Sequence, residues 1–249
     1  MILKSGKQFK KNIMNKTLLK ITLSVFAILL GNNTYAQEVE STKKEKVEIE
    51  SESPFTVGMD IVSTYVWRGT KFSGPAIQPT LEYGVGGFSV GAWGSFDLVN
   101  GFNELDTYAS YAFDFGLSLG LTDYYYQGSH AFDFADTTGS HALEANLNYT
   151  IKSISLSANY VINDTHAGGP GSTGGDIYFE AGYGFKYFDV FVGAGDGWHS
   201  KEGDFQVVNI GIGATKEIKI SETFTLPVFG QLIINPNKEQ YNLVVGISL

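Results

Sequence analysis

Residues 175–186 read GDIYFEAGYGFK, and that stretch decides the fold. Ile177, Phe179, Ala181, Tyr183 and Phe185 recur at every second position, while Asp176, Tyr178, Glu180, Gly182 and Lys186 lie on the other parity. A period of two places the sets on opposite faces of a β-strand. The pattern repeats along the chain. Phe88-Val90-Ala92 opposes Ser89, Gly91 and Trp93; Leu117-Leu119-Leu121 opposes Ser118, Gly120 and Thr122. Ile154-Leu156-Ala158-Tyr160 opposes Ser155, Ser157 and Asn159.

Working outward, the alternation predicts twelve strands over 55–67, 75–84, 87–96, 103–114, 115–127, 141–150, 153–163, 175–186, 188–197, 205–216, 223–234 and 240–249. Each is about the 9–11 residues that a tilted membrane strand requires, or slightly more. Connections alternate between tight ones, as at 84–87, 150–153 and 186–188, and long polar ones at 128–140, 164–174 and 198–204. That rhythm is expected of a transmembrane antiparallel β-barrel with short turns at one end and long loops at the other. A soluble β-protein also alternates, but here Asp60, Glu82, Asp97, Asp106, Glu144 and Glu180 would all be buried in its core, where carboxylates need partners. Aromatics near predicted strand ends (Tyr65, Trp67, Phe96, Tyr124 to Tyr126, Phe185 to Phe188, Tyr241) read as interfacial girdles. Pro79 and Pro227 fall inside strands, which calls for a bulge or a shifted boundary, and leaves ten or fourteen strands as alternatives.

Composition agrees. Thirty Gly, 18 Phe and 14 Tyr among 249 residues favour β-structure over helical bundles. The lack of cysteine excludes disulfide scaffolds, CxxC zinc sites and thiol catalysis. Residues 1–36 read as a signal peptide: Lys16 and Lys20 precede the apolar run Ile21 to Leu30, with Thr34-Tyr35-Ala36 as the cleavage site. Residues 37–53 are charged, with little to bury, and read as a flexible periplasmic tether before a barrel over 54–249. Removing the six leader lysines from the 17 basic residues leaves eleven against 26 acidic ones, a net −15. Such a surface disfavours nucleic acid.

Residues 63–95, STYVWRGTKFSGPAIQPTLEYGVGGFSVGAWGS, carry a further signal. Ser63, Tyr65, Arg68-Gly69, Ser73, Pro75-Ala76, Gln78, Gly87-Phe88, Gly91 and Trp93-Gly94-Ser95 resemble the opening of the TorF-type porins, also called the Gcw family of conserved hypothetical outer-membrane proteins. Trp67 is not among the residues that carry the resemblance. The resemblance implies an outer-membrane channel and brings no substrate.

Arg68 is the only arginine. Two roles fit it: a constriction clamped by carboxylates such as Asp97 or Glu82, or an interior ion pair that pins the first loop and conducts nothing. By parity, Asp60, Arg68, Glu82, Asp97, Glu144 and Glu180 line the passage, and an acid-rich lumen should prefer cations. No catalytic, cofactor or metal residues are assigned. His130, His141, His166 and His199 have no metal-ligand spacing. Ser140-His141 is the least unfavourable pair for a lipid hydrolase, but neighbours in a strand point to opposite faces. Tyr124 to Tyr126 read as girdle rather than as a sugar-stacking platform. The expectation is a non-enzymatic channel for small solutes, in the outer membrane of a Gram-negative-type bacterium, with both termini periplasmic. Outer-membrane lipid and the barrel-assembly machinery, the latter engaged through Tyr241 to Leu249, are the expected partners. The rival is a non-conducting barrel whose outer loops bind a partner or ligand.

Overall fold

The computed structural model describes residues 53–126, 130–135, 138–165 and 171–249. The expected leader, nearly all of the tether, His166 and Gly168-Gly169-Pro170 lie outside the described residues.

Twelve strands close into one antiparallel barrel. In chain order the elements are β1 (Phe55–Val62), β2 (Tyr65–Trp67), β3 (Thr70–Ser73), β4 (Ala76–Val85), β5 (Phe88–Asp97), β6 (Asn103–Ala112), β7 (Leu117–Tyr126) and β8 (His141–Ile151). They continue with β9 (Ile154–Val161), β10 (Asp164–Thr165), β11 (Ser172–Thr173), β12 (Ile177–Gly184), β13 (Asp189–Gly195), β14 (Gln206–Lys219), β15 (Thr225–Asn235) and β16 (Gln240–Ser248). The pairs β2–β3 and β10–β11 are two-stranded ribbons outside the barrel wall. Pairing of β1 with both β4 and β16 closes the wall and leaves no edge, so its backbone groups find partners without water.

The pleat sorts side chains as the alternation requires. Leu119, Leu121, Leu147, Leu156, Ile210, Ile212, Leu232, Leu243 and Val245 are exposed on the outside. An apolar outer belt of this extent suits hydrocarbon rather than water. Among the described residues no helix is long and apolar enough to cross a membrane, so the strands carry that surface. Turns joining β4–β5, β6–β7, β8–β9 and β12–β13 are short and lie at the end where the chain enters β1 and leaves β16. The longer connections lie at the other end, called the loop end below.

Three sequence expectations change. The first strand stops at Val62, and 65–73 forms a separate hairpin, because Arg68 (φ 47°) and Gly69 (φ 79°) reverse the chain between paired Trp67 and Thr70. Two consecutive positive φ values are what a two-residue type I′ hairpin loop demands. Neither proline makes a bulge. At Pro79 the β4–β5 ladder has a gap without a change of register, and Pro227 lies just past the β15–β16 ladder, which begins at Val228. The bulge is instead in β14: Gly193 faces Asn209 and Ala194 faces Val207, so Val208 is the extra residue. Both Val208 and Asn209 are consequently buried.

Candidate functional site in the barrel lumen

The hairpin β2–β3 inserts into the loop-end half of the lumen, with Arg68 at its tip. Arg68 Nη1 and Nη2 donate to Glu144 Oε2 and Oε1 at 2.6 and 2.8 Å. This two-pronged geometry is the strongest form of the carboxylate–guanidinium pair. Glu144 Oε1 also accepts from the Tyr124 hydroxyl (2.9 Å) and Asn146 Nδ2 (2.7 Å). The guanidinium lies 4.4 Å from the ring centroids of both Trp67 and Tyr178. The ion pair is buried, its side chains 8% and 0% exposed, so removing either partner strands a charge. Asp97 and Glu82, the partners expected for Arg68, are not the ones it uses.

Backbone fit holds the tip from the opposite wall. A Cβ on Gly69 would sit 2.0 Å from the Val208 carbonyl oxygen, so the bulge in β14 and the glycine at the turn are complementary. Asn235 Nδ2 donates to the Gly69 carbonyl (3.3 Å), and Lys238 Nζ to Thr70 Oγ1 (2.9 Å).

Around the hairpin stands an aromatic collar. Trp67 packs edge-on against Tyr124 (5.4 Å) and Trp198 (5.6 Å), while Tyr65 against Trp93 (5.5 Å) and Phe72 against Phe102 (5.5 Å) are tilted pairs. Trp67, read from sequence as part of a girdle, is thus central to the collar. Tyr65, Trp67, Tyr124 and Tyr126 are lumen residues rather than girdle, since their inward parity carries them onto the hairpin; Tyr125 alone of its trio points outward. Trp198 and His199 come from the β13–β14 connection, which Asp176 anchors by accepting from the Trp198 amide at 3.0 Å. Trp198 Nε1 donates to His199 Nε2 at 2.8 Å. His199 therefore accepts as a neutral imidazole; burial, with the nearby Arg68 and Lys238 charges, holds its pKa well below the ordinary histidine value.

The inner wall is two-sided. Val62, Ala76, Phe229, Ile233 and Val244 form an apolar cluster on one side. The other side is polar. Thr122 Oγ1 donates to Asn146 Oδ1 (2.8 Å) and Asn146 Nδ2 to Asn159 Oδ1 (3.0 Å), extending the Glu144 network. Glu82 accepts from the Tyr108 hydroxyl at 3.1 Å. Glu180 accepts from the Tyr178 hydroxyl and from Asn209 Nδ2. Tyr178 reaches across β13 only because Gly193 is bare: a Cβ there would lie 2.0 Å from the hydroxyl. Asp60 is half-buried on the inward face of β1. Asp97 ends β5 and caps the following turn, accepting from the Val99 and Asn100 amides at 2.7 and 3.1 Å. Asp176, on the polar parity of its stretch, is buried beneath the loops.

On the outer face His141 places Nδ1 3.0 Å from Asp123 and Nε2 3.1 Å from the Ala131 carbonyl. It stacks between Tyr125 and Phe134. Its ring nitrogens address those groups rather than Ser140, so the geometry does not assemble the pair that a lipid hydrolase requires. Among the described residues no cluster of three His, Asp or Glu could hold a metal ion.

Residues 48–227 match the profile of a family described as a bacterial protein of unknown function, Gcw_chp. The chain belongs to the Gcw_chp family. That match spans the hairpin and most of the barrel wall of this Gcw_chp protein. Among solved structures, a triple mutant of Rhodopseudomonas blastica porin is similar at 16% identity and a TM-score of 0.38, over 70% of this chain and 55% of that one. A double mutant and a five-fold mutant of the same porin are 14% and 15% identical with TM-scores of 0.40 and 0.41, each over 80% of this chain and 74% of theirs. The chain thus spans little more than half the length of the first of these. No curated protein matches.

Proposed function

We propose that this chain is an outer-membrane channel of the TorF type whose lumen is closed at rest by its own first-loop hairpin. When the hairpin withdraws, it passes small solutes with a preference for cations. The observation that carries the reading is a polar, acid-rich lumen stoppered by a segment that leaves and rejoins the wall at 63–64 and 74–75 and is clamped at its tip by a buried ion pair, with hydrogen bonds from Asn235 and Lys238 beside it. Asp60, Glu82, Glu144 and Glu180 supply the negative lining, and Arg68 is the latch. Asp97 contributes at the mouth. Carboxylates along a narrow path raise the local concentration of cations and repel anions. Both termini lie on the periplasmic side, the barrel is embedded in outer-membrane lipid, and Tyr241 to Leu249 serve recognition by the assembly machinery. The hairpin also favours a second reading, a permanently closed barrel whose loops bind a partner.

The test is a planar-bilayer recording of protein lacking residues 1–36 across a salt gradient. The channel reading expects intermittent conductance steps with a cation-selective reversal potential, weakened by Glu82→Gln. A folded barrel that never conducts favours the second reading, and anion-selective steps contradict the acidic lining.

A further inference from the structure

Two lumen carboxylates have no cationic partner. Glu104 and Asp106, both 1% exposed, sit on the inward face of β6 two residues apart. Glu104 Oε2 and Asp106 Oδ1 are buried without a well-formed hydrogen bond, as is the hydroxyl of Tyr126, the residue directly across from Glu104. Tyr126 and Tyr65 lie close enough to act on the Glu104 carboxylate. Neither carboxylate takes part in the ion pairs of the described residues. Of the buried or half-buried basic groups on and around the hairpin, Arg68 is engaged by Glu144 and Lys238 by Thr70, while Lys71 is exposed. A buried carboxylate without a partner is costly, and the cost is relieved either by a proton or by a bound positive charge.

The surroundings select its chemistry. Trp93 is cross-strand to Asp106, and Tyr65 and Phe72 of the hairpin pack with Trp93 and Phe102 in one aromatic cluster. Aromatic faces attract organic cations. A hard divalent metal ion instead wants six or more oxygen ligands, and among the described residues no group of even three His, Asp or Glu is placed to hold one. Three unpartnered acceptor atoms match the three donors of a primary ammonium group. We infer that Glu104, Asp106 and Tyr126 form a binding site for the ammonium group of a small primary amine, roofed by the hairpin. The site is separate from the Arg68–Glu144 latch and does not require that the barrel conduct.

Protein lacking residues 1–36, folded in detergent micelles, is titrated with propylammonium chloride at constant ionic strength. Tryptophan fluorescence is the readout, since all three tryptophans lie in the collar. A saturable change is expected, absent with sodium chloride and at least about tenfold weaker in Glu104→Gln and in Asp106→Asn, since each removes a charged hydrogen-bond acceptor. Tetramethylammonium, which has no N–H donor, should bind at least about tenfold more weakly too. The exposed Glu202→Gln should bind as the parent does. Tyr126→Phe keeps both charges and the ring, so it tests the site even where the carboxylate variants fold poorly; several-fold weaker binding is expected. A non-saturating response equal to that of sodium chloride overturns the inference. So does unchanged affinity in Tyr126→Phe or in either folded carboxylate variant: the carboxylates then hold only protons. Because conductance is not read, this failure leaves the channel reading untouched.

Discussion

Replacing Arg68 by alanine should convert an intermittently open barrel into one that is open most of the time. Arg68 supplies both bonds of the clamp on Glu144, at 2.6 and 2.8 Å, and lies against two aromatic rings. Breaking a buried ion pair by removing one partner costs about 3–5 kcal/mol, most of it the stranded charge. Glu144 keeps Tyr124 and Asn146 as donors, which favours the lower end of that range. The cost falls on the closed state alone, because withdrawal of the hairpin returns Glu144 to water. About 3 kcal/mol shifts the closed-to-open ratio by roughly two orders of magnitude, at 1.4 kcal/mol per factor of ten. Single-channel open probability reads this directly, with gel mobility before and after heating to confirm that the barrel is folded. Arg68→Ala combined with Glu144→Ala removes the stranded charge and should recover part of the closure. A folded Arg68→Ala barrel with the parent's open probability would refute the latch.

Other outcomes follow from the same geometry. Gly69→Ala should also favour the open state, because its Cβ meets the Val208 carbonyl and an alanine at φ 79° costs about 1–2 kcal/mol more than glycine; the check is open probability against Gly101→Ala, a positive-φ glycine with open space around it. Acidification should loosen the hairpin through His199. Its folded pKa lies below the ordinary value of about 6.5, so closure is fully supported above that pH and weakens as pH falls beneath it. Recordings from pH 7.5 to 5 should show rising open probability, and His199→Gln, which keeps an acceptor for Trp198 without titrating there, should flatten the rise. Glu82→Gln, near the terminal end of the lumen and away from the latch, should reduce cation selectivity with little change in gating, read as a smaller reversal potential in the same salt gradient.

The barrel wall was legible in the sequence because a membrane strand writes its two faces at alternate positions. Ile177 to Phe185 and the final run from Tyr241 have no other economical reading. The plug was less legible. Tyr65 and Trp67 continue the alternation of β1, so nothing in periodicity separates a wall strand from a hairpin folded inside it. The one local signal was Arg68-Gly69, where glycine permits the reversal, and arginine at positive φ is stabilised by a partner 76 residues away that no local pattern reveals. The bulge at Val208 did leave a trace: Val207-Val208 breaks the alternation of β14. The tyrosine trio 124–126 shows the opposite failure, since aromatics at a strand end suit both a girdle and a collar, and only parity relative to the wall separates them. Parity did place Glu144 on the inward face, but the partners expected for Arg68 were Asp97 and Glu82, because parity does not tell which inward residue a hairpin tip will reach.

The central claim is that the hairpin occupies and closes the lumen, and removing it is the most direct test. Protein lacking residues 1–36, with 65–73 replaced by a short Gly-Ser linker, would be compared with the same protein carrying its hairpin, in one planar bilayer under a salt gradient. Deletion should give steady, cation-selective conductance where the parent shows mostly closed levels. Equal conductance in the two folded proteins would contradict the account, because a segment that closes the passage cannot be removed without opening it.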